Sequence, residues 1–359
     1  MKNKIKTIIF NFITFSLLLT PIIYAASDHA DPQLLLNAIM DGDFEKIQKL
    51  IAGGMDPNTA DAEGKTLLIL ATEDDHFEIV KYLLERGDVD PDLQDNEETT
   101  ALMWASINGH DKIVELLLKH HAQLDVQDNQ RKTALMWASI NGHDKVVKLL
   151  LKHHAQLDVQ DETETTALIY ASQEGHDKVV ELLLEHNANP DLQDNTKTTA
   201  LIWASENGYD KVVKLLLEHN ARLDLQDNFG RTALMWASEK GHDKVTKLLL
   251  EHNAQLNLQD NQEKTALMIA AEEGKSEIVV LILEKEPNLN MTDNNNETAL
   301  MKATRGGHLE IVQSLLKEFA SIRGQNDNNE TVLSLAEESG NPVIIELIRA
   351  RIPYLREPE

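Results

Sequence analysis

A self-similarity of 33 residues constrains this chain more than any other feature. A threonine that opens a Thr-Ala-Leu-like tetrad stands at Thr66, Thr100, Thr133, Thr166, Thr199, Thr232, Thr265, Thr298 and Thr331. The first step is 34 residues and the other seven are 33. Gln33 begins a divergent version one period before Thr66, with Ala38 in register with Ala71. The sequence therefore divides into ten units between about Asp31 and Ile352. A fixed period of this size is the signature of stacked supersecondary units, each contacting only its neighbours.

Within a unit the residue pattern predicts two short helices. Thr133 to Ser139 carries Leu135, Met136 and Ala138 at helical spacing, and the Thr133 hydroxyl is placed to cap its start. Asn141-Gly142 ends it. Asp144 to His153 forms the second, with Val146, Val147, Leu149, Leu150 and Leu151 on a broad apolar face. The chain then runs extended to a turn at Asp161. Such a pair cannot bury its apolar faces alone, so neighbours must cover them. The extra residue of the 34 step falls between Glu85 and Pro91, in a turn.

The unit Thr100-Ala101-Leu102-Met103-Trp104-Ala105, followed by Gly109-His110, Ile113-Val114, Leu116-Leu117 and His121-Ala122, resembles the ankyrin repeat. The resemblance covers residues 31–352 and implies an all-α solenoid of helix-turn-helix units with β-turn fingers. It also implies a partner-binding scaffold rather than an enzyme. Departures are visible. Ala replaces the motif's Pro in most units, and Met or Ile replaces its His. The glycine before the final Ala becomes His121, His154, Asn187, Asn220 and Asn253. These residues are expected to hold a left-handed backbone after the helix, a region where Asn and His are enriched. The ends read as caps: Asp31-Pro32 opens the first helix, and Pro342 to Arg351 closes the array with Arg349 and Arg351 in its last turn.

The N-terminus reads as a targeting segment. Lys2, Lys4 and Lys6 precede an uncharged run from Thr7 to Tyr24, and Pro21 and Ala25-Ala26 follow its apolar part. This is the pattern of a signal peptide over residues 1–25, cut after Ala25 or Ala26. Residues 26–30 then form a short linker and 353–359 a tail. The alternative is an uncleaved anchor, for which the stretch is barely long enough and contains Asn11. No second long apolar run follows, so the mature chain is expected to stay out of the membrane. The Lys-rich start and Asn-rich turns suit a bacterial exported protein, periplasmic or secreted.

Composition removes several function classes. With no Cys there are no disulfides, thiolate metal sites, iron–sulfur clusters or thiol catalysis. The formal charge of −26 opposes general nucleic-acid binding and suits a basic protein partner. No Gly-rich phosphate loop, His-Glu-x-x-His or Gly-x-Ser-x-Gly occurs. No cofactor, metal or catalytic residue is therefore expected, and the protein is expected to act as a monomer.

Two features remain as candidates for recognition. Four residues after each Thr come Trp104, Trp137, Tyr170, Trp203 and Trp236, which include every Trp of the chain. The family resemblance places this position on the first helix facing the concave groove. At helix spacings of about 8–10 Å the five rings would form a stripe roughly 32–40 Å long. Such rings are favoured anchors because they bring rigid area and a polar end; the alternative is that they shield Leu and Ala in their own stack. The turn tips also vary while their frame does not, and Phe229 and Arg231 stand out among them. The resemblance assigns the tips, with the first helices, to the partner surface. Two His ladders read as structural: His110, His143, His176, His242 and His308 at helix starts, and His120, His153, His186, His219 and His252 at helix ends. Asp95, Asp128, Asp161, Asp194, Asp227, Asp260 and Asp293 open the turns, where Asp caps backbone N–H groups. Other readings of the chain are an envelope protein without a dedicated groove and a carbohydrate binder using the rings as a platform.

Overall fold

The computed structural model describes residues 31–352. The expected signal segment, its cleavage point, the linker 26–30 and the tail 353–359 lie outside the described residues. Among the described residues twenty helices fall into ten pairs, from Pro32–Met40 and Phe44–Ala52 to Val332–Ser339 and Pro342–Arg351. Among the described residues the only β pairing consists of three isolated antiparallel bridges at finger bases, such as Gln94 with Thr100. The array is the all-α solenoid that the 33-residue period implies.

The fourth unit shows why each sequence element takes its place. The Thr133 hydroxyl accepts from the Met136 backbone N–H at 3.3 Å and starts the helix Ala134–Ile140. Leu135, Met136 and Ala138 are buried on it. Met stands where the family motif has His and packs as a core side chain. Gly142 then takes φ 70°, a left-handed conformation in which an added side chain is strained. A Cβ there would also lie 2.6 Å from His176 Nδ1 of the next unit. Instead the His176 ring fits against the bare backbone, and its Nε2 donates to Ile140 O at 3.0 Å. The helix-start His ladder is thus a set of rivets between units, repeated by His143 on Ile107 O and His242 on Glu206 O.

The second helix, Asp144–Lys152, buries Val146, Val147, Leu150 and Leu151. His154 follows at φ 67°, and His121, Asn187, Asn220 and Asn253 take φ between 61° and 68°. The expected left-handed turn is present at all five. Three of the helix-end His residues bond a second time to the carbonyl that already accepts their own backbone N–H: His186 Nδ1 donates to Leu182 O at 2.8 Å, and His219 and His252 do the same with Leu215 O and Leu248 O. First helices pack on first helices and second on second along the array, giving one continuous core. Fingers are stitched by backbone bonds such as Asn129 N to Glu97 O at 3.1 Å. Gln side chains add to this, with Gln193 Nε2 donating to Gln226 O at 3.2 Å.

The ends are closed by polar contacts. Asp31 Oδ1 caps the first helix at Gln33 N, and Asn341 Oδ1 caps the last. Arg351 reaches back to Leu316 O of the ninth unit at 2.6 Å. The inserted residue lies in the irregular stretch after Glu85, where Arg86 pairs with Asp88 at 2.6 Å. Among the described residues no helix is long and apolar enough to cross a membrane.

Candidate functional site: the aromatic stripe and its fingers

Each ring of the stripe is tied to the finger of its own unit by the Asp that opens it. Asp128 Oδ1 accepts from Gln130 N and Lys132 N at 2.9 and 2.8 Å, which closes the turn. Its other oxygen, Oδ2, accepts from Trp137 Nε1 at 2.9 Å. The same bond joins Trp104 to Asp95, Trp203 to Asp194 and Trp236 to Asp227 at 2.8 to 3.0 Å. In the fifth unit the Tyr170 hydroxyl donates to Asp161 Oδ2 at 2.5 Å. A buried carboxylate needs such partners to stay charged, and Asp161 is only 2% exposed. Burial works to raise its pKa, but the bonds from Tyr170, Thr163 and Thr165 outweigh this and hold it below the ordinary carboxylate range. Burial, reinforced by Asp161, pushes the Tyr170 phenol up, so it remains a donor.

The polar end of every ring is therefore committed inside the chain. All five rings are half-buried against the core, and what the stripe presents outward is ring surface. Much of that surface carries a cation. Lys65 Nζ stands 4.2 Å from the Trp104 centroid, and Lys132 Nζ stands 5.4 Å from Trp137 and 5.7 Å from Tyr170. Over Trp236 lie Arg231 at 4.6 Å and Lys240 at 5.2 Å. Distances of this order give a favourable interaction with the ring quadrupole.

The structure brings Phe229 and Arg231 together with Trp236. Phe229 meets Trp236 edge-on at 6.4 Å and is still 64% exposed. Arg231 pairs with Glu239 and lies 3.6 Å from Asp260 of the next finger. The pair Arg231–Glu239 spans eight residues, from finger to first helix. Lys65–Glu73 and Lys264–Glu272 repeat it, both at 2.7 Å. In the ninth unit the signs reverse, with Glu297 on the finger and Arg305 on the helix.

The stripe stops where the ring is replaced. Ile269 in the eighth unit is buried. In the ninth, Lys302 occupies the ring position and places Nζ 2.7 Å from Asp293 Oδ2. Lys302 is also 3.4 Å from Glu297. Burial alone would lower the Lys302 pKa, but Asp293 and its acidic neighbours raise it. The five aromatic units and the ninth thus each set a polar group against the finger Asp, indole, phenol or ammonium, and the eighth, with Ile269, does not.

Reading the sequence alone identified the rings, Phe229 and Arg231 but not their bonding. The constant nine-residue offset from finger Asp to aromatic was the available signal. The cations Lys65, Lys132 and Lys240 and the acid Glu206 were also passed over. Among the described residues no group of His, Asp and Glu is arranged to hold a metal ion.

A family model described as ankyrin repeats, three copies long, matches residues 34–128, 87–161, 108–194, 135–227, 187–260, 219–293 and 267–353. No curated protein matches the chain.

Proposed function

Since the chain belongs to the ankyrin-repeat family, whose members are generally protein–protein interaction modules, we propose that it binds a partner protein through its first-helix face and finger tips. The observation that carries this reading is the run of five half-buried rings, locked by Asp bonds before any partner arrives. A surface fixed in advance loses little conformational freedom on binding. The finger tips beside it differ from unit to unit on a constant frame, as a recognition surface requires. The chain's charge of −26 suits a basic partner and speeds its approach. A signal segment over residues 1–25 would deliver the protein to the periplasm or the exterior, where it would work as a monomeric scaffold without catalysis.

A sugar platform is less well supported, because stacking needs open ring faces and four of the five rings carry a lysine or arginine. Affinity capture with the mature chain, using Trp137→Ala with Trp203→Ala as the control bait, tests the proposal. Partner recovered by the native bait and lost from a folded double variant supports the groove. Equal recovery by both baits removes it.

A further inference from the structure

In the seventh unit a cation of the chain joins a ring to a carboxylate, and in the sixth the same ring and carboxylate have none among the described residues. In the seventh, Arg231 of the finger lies over Trp236 at 4.6 Å and pairs with Glu239 of the first helix. One side chain thus satisfies a ring face and a carboxylate together. The sixth unit has the same ring, Trp203, with the same bond to its finger Asp at 3.0 Å. It has the same acid, Glu206, one period before Glu239. The position of Arg231 is taken by Thr198.

Two positions supply the finger cations seen over these rings: the residue before the Thr of the same unit, as Lys132 does for Trp137, and its counterpart one unit earlier, as Lys132 does for Tyr170. For Trp203 these are Thr198 and Thr165. Both are 6% exposed and turned into their own fingers, where Thr198 Oγ1 lies 2.9 Å from Thr196 Oγ1 and Thr165 Oγ1 lies 2.9 Å from Thr163 Oγ1. Among the described residues no cation lies over Trp203 and none is ion-paired with Glu206. The nearest candidates are engaged elsewhere: Lys240 pairs with Glu239 at 3.1 Å, and Arg231 with Glu239 and Asp260. The other aromatic units lack the combination, having Ile107, Ile140 and Gln173 where the sixth has its acid. Glu206 is half-buried, and that burial raises its pKa even against the field of Lys240. A carboxylate in this state gains from a cation more than a solvated one does.

We infer that the Trp203 ring and the Glu206 carboxylate together receive an arginine side chain of the partner protein, in the arrangement that Arg231 adopts with Trp236 and Glu239. The guanidinium is the fitting group because it stacks flat on a ring while its edge donates to a carboxylate. The inference rests on the partner-binding reading and adds one chemical requirement: the bound segment carries an arginine opposite the sixth unit.

The test uses the chain labelled with 15N and follows its four indole N–H signals, assigned through Trp→Phe variants. The probe is the capped tripeptide acetyl-Gly-Arg-Gly-amide at low salt, with its citrulline counterpart as the uncharged isostere. The arginine probe should shift the Trp203 signal in a saturable way and leave those of Trp104, Trp137 and Trp236 in place. Citrulline should do nothing. Thr198→Arg supplies the cation from within and Glu206→Gln removes the carboxylate's charge; each should abolish the response, with the other three signals reporting that the fold persists. Should Thr198→Arg not fold, Glu206→Gln decides alone. No shift at Trp203, equal shifts at all four indoles, an equal effect of citrulline, or a response that survives in a folded variant overturns the inference. Because no partner is used, this result is separate from the capture experiment: the arginine contact can fail while the groove still binds.

Discussion

The indole Nε1–H of Trp137 donates to Asp128 Oδ2 at 2.9 Å, across nine residues of sequence. Asp128 Oδ1 meanwhile holds the finger turn through Gln130 N and Lys132 N. One carboxylate thus fixes the finger and the ring relative to each other. A partner that meets both meets a surface whose shape is already set.

This bond should have a measurable worth. Trp137→Phe keeps a ring but removes the donor, leaving one oxygen of a buried carboxylate unpaired. The cost should be about 1–3 kcal/mol, read from the denaturant midpoint. A variant as stable as the native chain would show that the Trp137–Asp128 bond does not matter to the fold.

Lys302 tests the same frame with a charge in place of a ring. It is 3% exposed beside Asp293, which is fully buried. Lys302→Met should cost about 3–5 kcal/mol, because it strands a buried carboxylate. Burial alone would raise Asp293 and Glu297. Lys302 with backbone N–H groups lowers the first, and Arg305, Asn326 and Lys302 lower the second, so both sit below the ordinary range. Groups depressed in this way stabilise the fold above their unfolded value of about 4, and the contribution is lost as pH falls through the depressed folded values. The native ninth unit should therefore hold to pH values below that point. In Lys302→Met the stranded Asp293 carboxylate has a raised pKa, so less stability is lost on protonating it, and the stability gap between variant and native chain should narrow as pH falls, as denaturant midpoints followed by circular dichroism across pH would show. An unchanged acid profile would contradict the assignment.

Damage to one unit should stay local, because each unit touches only its neighbours. Leu150 is fully buried, and Leu150→Ala should cost about 2–5 kcal/mol. Hydrogen exchange should place the loss of protection on the fourth unit and those beside it. Uniform loss across all ten units would argue against a chain of nearest-neighbour contacts.

Export gives a prediction outside the described residues. The basic start, apolar run and Ala25-Ala26 lead to a mature N-terminus at Ala26 or Ser27. N-terminal sequencing of exported protein that still begins at Met1 would leave the anchor reading.

The architecture was legible because repetition turns one sequence into ten readings of the same unit. The Thr133 cap, the Gly142 stop and the left-handed His154 and Asn187 each follow from local chemistry, and local chemistry is what a sequence displays. The bonding of the stripe was less legible for a physical reason. Trp137 and Asp128 are joined only once the finger folds back over the first helix. Asp128 already had a sufficient role as a turn cap. That Thr165 and Thr198 turn inward, while Lys132 and Arg231 reach over rings, depends on packing within each finger. That Trp203 carries no cation among the described residues follows from the same inward turn of Thr165 and Thr198.

The most direct test of the central claim, that the ring stripe recognises a partner, is the affinity of Trp203→Ala for a captured partner, measured with its denaturant midpoint on the same preparation. If the stripe is the recognition surface, binding should weaken by about 2 kcal/mol or more, as for a hot-spot anchor, in protein that remains folded under the assay conditions. A large fall in the midpoint with unchanged affinity of the folded fraction would contradict the claim and assign the rings to packing alone.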